Sequence, residues 1–221
     1  MEPLVVTATL ASDIANPMRP PALDALVAFA QCVYVEQRPP PDPSRAMPPV
    51  SLDGILAASP CGRYHLASFG LATVEEWCRG RFINRRFPIA EAQAMGGRIG
   101  TLNLSGGPAK SFRIPIETAW LKGDVVTWYA VGDREKIAAR LSWITHLGRR
   151  RGVGLGRIAR WDVSPCASWG DGFPVIRDGR PLRNLPLDAM DAEVAQAFEG
   201  YGNVTFPYFE REREELCILA G

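Results

Sequence analysis

Residues Leu4-Val5-Val6-Thr7-Ala8-Thr9-Leu10 are rich in β-branched side chains and set Thr7 and Thr9 against Val6 and Leu10. That alternation predicts a strand. After the turn-forming Asn16-Pro17, positions Leu23, Leu26, Val27 and Ala30 fall at helical spacing and predict a buried helix over Ala22 to Val35. Six prolines between Pro39 and Pro49 exclude a continuing helix or a central strand there, so that stretch is a loop. Arg63 to Leu71 is strand-like, and Arg79 to Arg86 is basic with aromatic residues interleaved. Gly96 to Ile116 predicts an extended hairpin with its tip at Ser105-Gly106-Gly107-Pro108. Val125 to Val131 is a strand, and Asp133 a fitting N-cap for a helix over Arg134 to Leu147, cored by Ile137, Leu141 and Ile144. Gly148 suits the position just past that helix. A strand over Gly156 to Val163 follows, then a helix over roughly Asp188 to Phe198 and an acidic tail.

The order is strand, helix, strand, hairpin, strand, helix, strand. It predicts an α+β, ferredoxin-like core, β-α-β-β-α-β, carrying an inserted hairpin and a C-terminal extension. The expected boundaries are 1–163 for the core, with the insertion at about 80–122, and 164–221 for an extension packed on the same domain. In such a core the helices cover one sheet face and leave the other free for single-stranded nucleic acid.

Composition narrows this picture. At 221 residues and 47% hydrophobic, the chain can bury a core, and intrinsic disorder is excluded. Its 21 glycines and 19 prolines predict a loop-heavy protein. Five cysteines (Cys32, Cys61, Cys78, Cys166 and Cys217) stand far apart without a CxxC pair, which argues against a disulfide framework or a clustered zinc site and for a reducing cytoplasm. The start lacks the basic region of a signal peptide, and the charge-free run Ala25 to Ala30 is far short of a membrane span.

The net charge of +1 hides three blocks. Residues 1–78 carry 4 basic and 8 acidic side chains, residues 79–183 carry 19 and 8, and residues 184–221 carry 2 and 8. The middle block, at +11, points to a polyanionic partner, and the acidic ends, Glu210, Glu212, Glu214 and Glu215 among them, are expected away from it.

Within that block, Gly148-Arg149-Arg150-Arg151-Gly152-Val153-Gly154-Leu155-Gly156-Arg157 is the most informative segment. A dinucleotide site requires strand, glycine loop and helix in that order, whereas this loop follows a helix and precedes a strand. A Walker A loop is excluded because no Lys-Ser/Thr pair follows the glycines. What remains is a permissive backbone that can approach an anion, with Arg149, Arg150, Arg151 and Arg157 supplying charge. The alternative is that the three successive arginines merely complement the helix C-terminus.

A helix ending in this loop before a strand resembles the glycine-rich loop of the CRISPR-associated RAMP proteins, RNA-binding proteins with a ferredoxin-like core. The opening strand with a downstream Leu-Asp helix, Gly132-Asp133, Gly179-Arg180-Pro181-Leu182-Arg183-Asn184-Leu185-Pro186 and Pro207-Tyr208-Phe209 resemble more narrowly the type IV members of Cas family five. Two copies of the Leu-Asp motif, at Leu23-Asp24 and Leu52-Asp53, compete for that first helix. The resemblance implies a subunit that caps the 5′ handle of the CRISPR RNA in an effector complex, with backbone and large subunits as partners, target DNA met through the complex, and no membrane. It makes Arg149 to Arg157 with Gly152, Gly154, Gly156 and His146 the RNA-contacting loop, and the 96–116 hairpin a thumb with phosphate contacts at Arg98, Lys110 and Arg113. Arg79, Arg81, Arg85 and Arg86 would flank its base. The interleaving with Phe82, Phe87 and Phe112 suits single-strand binding, charge for the backbone and rings for bases; each ring could equally serve packing.

His65 and His146 are the two groups that could exchange protons near neutral pH without a shifted pKa. Some RAMP proteins cleave the repeat RNA without metal, which makes His146, beside the loop, the candidate for an endoribonuclease alternative. A histidine there can equally contact phosphate. No cofactor or metal is expected, and the leading expectation is a binder without catalysis.

Overall fold

The computed structural model describes residues 1–15, 20–39, 50–78, 81–85, 112–167, 174–189, 198–208 and 210–220, with backbone alone at Ile83, Arg85, Phe112 and Arg211. In chain order the elements are β1 (Glu2–Leu10), β2 (Ile14–Ala15), α1 (Leu23–Ala30), β3 (Val74–Cys78), β4 (Phe82–Arg85), β5 (Phe112–Pro115) and β6 (Thr118–Leu121). They continue as β7 (Val125–Gly132), α2 (Arg134–Leu141), β8 (Ile158–Pro165), β9 (Ile176–Arg177), β10 (Arg180–Pro181), β11 (Leu185–Pro186), β12 (Phe198–Gly202) and β13 (Glu215–Leu219). The chain is therefore α+β, as expected.

The core sheet runs β7-β1-β8, with β1 central and antiparallel to both neighbours. Its register sets Val6 opposite Trp128 on one side and Val163 on the other. Strand periodicity then sends Leu4, Val6, Ala8, Val126, Trp128 and Ala130 to one buried face, where Leu23 and Val27 of α1 and Ile137 and Leu141 of α2 complete the core. The opposite face, with Val5, Thr7, Thr9, Thr127 and Tyr129, is half-exposed.

A fourth segment lies beside β7. Ala67 pairs with Ala130 and Leu71 with Thr127, but as isolated bridges, so the expected strand over Arg63 to Leu71 is an irregular edge. Its carbonyls are used elsewhere: those of His65 and Ala67 accept from Arg183, and that of Ser68 accepts from the Leu23 amide. The Leu66 carbonyl still accepts from the Val131 amide and the Ser68 amide donates to Tyr129, so the edge pairs with β7 only in part.

The structure corrects three further expectations. The second helix ends at Leu141 instead of reaching Leu147. Beyond it the backbone pairs across the loop, with the Leu147 amide donating to Gly156 (2.8 Å) and that of Ile158 to Thr145 (2.9 Å), and these bonds replace helical ones. Gly148, at φ +75°, therefore opens a loop and does not close a helix. The strand expected from Gly156 begins at Ile158, because Gly156 itself has φ +65°, outside the β region. Of the helix expected over Asp188 to Phe198, residues 190–197 lie outside the described residues, while Leu187–Ala189 form a 3-10 turn and Phe198 opens a strand.

The first helix is α1, continued as a π-helical turn over Gln31–Val35. Leu52-Asp53, the second Leu-Asp copy, sits at a turn. The choice follows from Asp24, which is fully buried and meets Arg183 and Tyr208, whereas Asp53 is exposed. Strand β13 pairs with β11 and β12 in a separate three-stranded sheet. Smaller sheets hold β2-β6-β3 and β4-β5. No helix among the described residues is long and apolar enough to cross a membrane.

Candidate nucleic-acid interface

Two stems hold the glycine loop. Residues 145–147 pair back onto 156–158, with His146 opposite Arg157, and Ala15 of β2 pairs with Arg149. The turn after β1 supplies the second set of ties. The Ser12 hydroxyl donates to the Gly154 carbonyl (3.1 Å) and accepts from the Arg157 amide (3.0 Å), while the Gly156 amide donates to the Asp13 carbonyl (2.8 Å). Leu155 is buried between these ties. A side chain at Gly156 would place its Cβ 2.0 Å from the Leu147 carbonyl oxygen, so only glycine fits. Gly152 and Gly154 have open space around them; Gly154 serves by adopting φ +84°.

The arginines project from this fixed base. Arg149, Arg150, Arg151 and Arg157 are exposed, and none forms an ion pair among the described residues. Arg150 lies in the left-handed region at φ +64°, a conformation costing an L residue roughly 1–2 kcal/mol. The three arginines begin eight residues past the end of α2, too far to complement its C-terminus, because dipole effects fade within the last turn. The helix-capping explanation for the run therefore fails. Arg160 on β8, opposite Thr9 of β1, is also exposed.

Part of the basic insertion meets the same corner. Arg81 Nη1 lies 3.0 Å from Asp13 Oδ1, so one aspartate anchors the glycine loop by its carbonyl and the insertion by its side chain. Strand β5, the returning arm of the expected hairpin, pairs with β4 upstream of Gly96, and there the Arg113 guanidinium stacks over the Phe82 ring at 3.7 Å. Phe82 and Arg113 are both exposed. Arg85 has its backbone in β4. Arg79, Arg86, Phe87, Arg98, Lys110 and the tip at 105–108 lie outside the described residues. Ser12 and Asp13 were not legible as site residues, because a Ser-Asp pair after a strand signals only a turn.

The other family-like marks have structural work. Arg183 is fully buried and donates to the carbonyls of His65, Ala67 (2.9 Å) and Val204, to Tyr208 Oη (3.0 Å) and to Asp24 (3.5 Å). The Tyr208 hydroxyl lies 2.9 and 2.8 Å from the two Asp24 oxygens. Burial, reinforced by the Asp24 charge, pushes the Tyr208 phenol well above its usual range. Gly132 leaves no room for a Cβ, which would meet Ile137 and the Ile55 carbonyl at 2.6 Å, and Asp133 caps α2 through the Lys136 amide.

Of the two histidines, His146 is half-exposed, with Nδ1 2.9 Å from Thr145 Oγ1. Burial holds His65 below its usual pKa, so it is neutral at pH 7. Among the described residues no cluster of three or more His, Cys, Asp or Glu side chains could hold a metal.

Fold and site together define an α+β protein presenting a clamped, arginine-bearing glycine loop beside a basic insertion. The sequence model of the family described as CRISPR type IV associated protein Csf3 matches residues 86–219, more than half of the chain and all of that loop. The chain belongs to this family, and is thus a type IV CRISPR-associated component. A comparison with curated proteins gives no match.

Proposed function

We propose that this chain is a non-catalytic RNA-binding subunit of a type IV CRISPR effector ribonucleoprotein, and that its Arg149–Arg157 loop holds the 5′ handle of the CRISPR RNA. The observation that carries the reading is the set of four exposed guanidiniums, without ion pairs among the described residues, on a loop whose stem is fixed by main-chain bonds. Cations not neutralised by a carboxylate among the described residues, on a base held by main-chain bonds, are suited to phosphates. The family match supports the CRISPR context; the proposal adds a cytoplasmic assembly with backbone and large subunits, through which the chain meets target DNA.

A ferredoxin-like RAMP core belongs to the same proposal. In that topology the first strand is central, flanked by the third and fourth, and the second lies beside the third. The order β8-β1-β7, with residues 65–71 bridged to β7, supports it. In this reading His146 beside the loop, its Nδ1 2.9 Å from Thr145 Oγ1, contacts phosphate and does not cleave. The basic insertion is proposed as a thumb over the same RNA, on the strength of the exposed Arg113–Phe82 stack and the Arg81–Asp13 tie to the loop.

The test is RNA affinity over a salt series for the wild type and the triple variant Arg149→Ala, Arg150→Ala, Arg151→Ala. Each lost phosphate contact on a single strand removes about 0.7 from the slope of log affinity against log salt, so the triple variant should lose roughly 2 units. Coincident slopes from two folded proteins would overturn the proposal.

A further inference from the structure

We propose that the Tyr34–Trp143 stack is a docking platform for one unpaired nucleobase of the RNA held by the arginine loop; the proposal rests on the RNA-binding reading above. The two rings lie face to face, centroids 5.4 Å apart and planes within 14°. Trp143 is 55% exposed and Tyr34 42%, unusual for large rings that already have each other as partners. Trp143 lies just past the Ser142 cap of α2, and Tyr34 lies in the π-helical turn after α1, so two packed elements fix the pair. Phe29 meets Tyr34 edge-on at 6.1 Å, and the Arg151 guanidinium lies 5.9 Å from the Phe29 ring. A continuous run therefore leads from a loop cation through Phe29 and Tyr34 to Trp143.

This arrangement provides what a single strand requires, an aromatic face for the base and a nearby cation for its phosphate. The ring faces in mutual contact are used, and among the described residues the 55% exposure of Trp143 leaves part of the indole accessible to a base. Because every base has a π-face, stacking there would hold the strand without reading its sequence. The adjoining positive charge is the reason to favour RNA over an apolar protein segment as occupant.

The full chain is titrated with a short fluorescein-labelled single-stranded RNA of mixed sequence, comparing the wild type, Trp143→Ala, Trp143→Phe and the loop triple variant, each checked by circular dichroism. Trp143→Ala should weaken binding roughly 5- to 150-fold with an unchanged salt slope, because a stacked base contributes no counterion release. Trp143→Phe should keep most of the affinity while losing the RNA-induced quenching of tryptophan emission, which also tests the platform should the alanine variant not fold. If both Trp143 variants bind and quench like the wild type while the triple variant is weakened, the loop reading stands and the platform is wrong, the face belonging to a protein partner. A slope reduced along with affinity in Trp143→Ala would also overturn it, as damage to the loop. A wild type that binds no RNA would overturn both readings.

Discussion

Replacing Arg183 by methionine should destabilise the protein by about 3–5 kcal/mol, the cost of leaving a buried charge without its partner. Arg183 and Asp24 are both fully buried, and the guanidinium is the cation facing the Asp24 carboxylate, with Tyr208 between them. Methionine fills much of the same volume, so the loss is chiefly electrostatic: Asp24 keeps the Ala25 amide (2.9 Å) and the Tyr208 hydroxyl as donors, but no counter-charge. The carbonyls of His65, Ala67 and Val204 also lose the guanidinium as a donor, although His65 keeps the Ala67 amide. For a chain of this size the loss corresponds to a fall in melting temperature of roughly 6–20 °C. The assay is thermal unfolding by circular dichroism for Arg183→Met, Asp24→Leu and the double variant. Removing both charges should recover part of the loss, since paired apolar replacement of a buried ion pair is often close to neutral. Tyr208 adds a pH signature. With its phenol pushed up in the folded state, stability is fully present below the ordinary tyrosine pKa of about 10 and falls as pH rises from there toward the raised value. Tyr208→Phe should flatten that alkaline loss. A single Arg183→Met variant within 1 kcal/mol of wild type, or strictly additive effects in the double variant, would refute the reasoning.

Gly156→Ala should collapse the loop stem, because its Cβ would lie 2.0 Å from the Leu147 carbonyl; the expected result is a loss of RNA affinity larger than that of Gly152→Ala, measured by the same titration. Asp13→Ala should free Arg81 from the loop corner and leave the glycine loop's main-chain ties in place, so limited proteolysis should cut the insertion faster while the melting temperature changes little.

The sequence made local features legible and long-range ones illegible. Strands β1 and β7 and the Asp133 cap follow from short-range periodicity and one side-chain bond, so they were accessible residue by residue. The end of α2 was not. Ile144 continues the helical stripe and is buried as expected, but Gly156 and Ile158, more than ten residues on, take the backbone bonds that would have extended the helix. The edge at 65–71 likewise meets a partner that nothing local marks, since its His65 and Ala67 carbonyls accept from Arg183, over a hundred residues away. At the site, the arginines and glycines were legible as a set. Ser12 and Asp13 were not, since nothing local marks them as the residues that clamp the loop. The Tyr34–Trp143 pair brings together rings from two elements that only the packing of α1 against α2 makes neighbours.

The most direct test of the central claim is a crosslinking map of the purified effector complex, reading which nucleotides of the guide RNA attach to this chain and at which residues. The 5′ handle should crosslink to the Arg149–Arg157 loop, and not to Glu210, Glu212, Glu214 or Glu215 at the acidic end. Contacts confined to the spacer or the 3′ end, or an RNA path lined by those carboxylates, would contradict it.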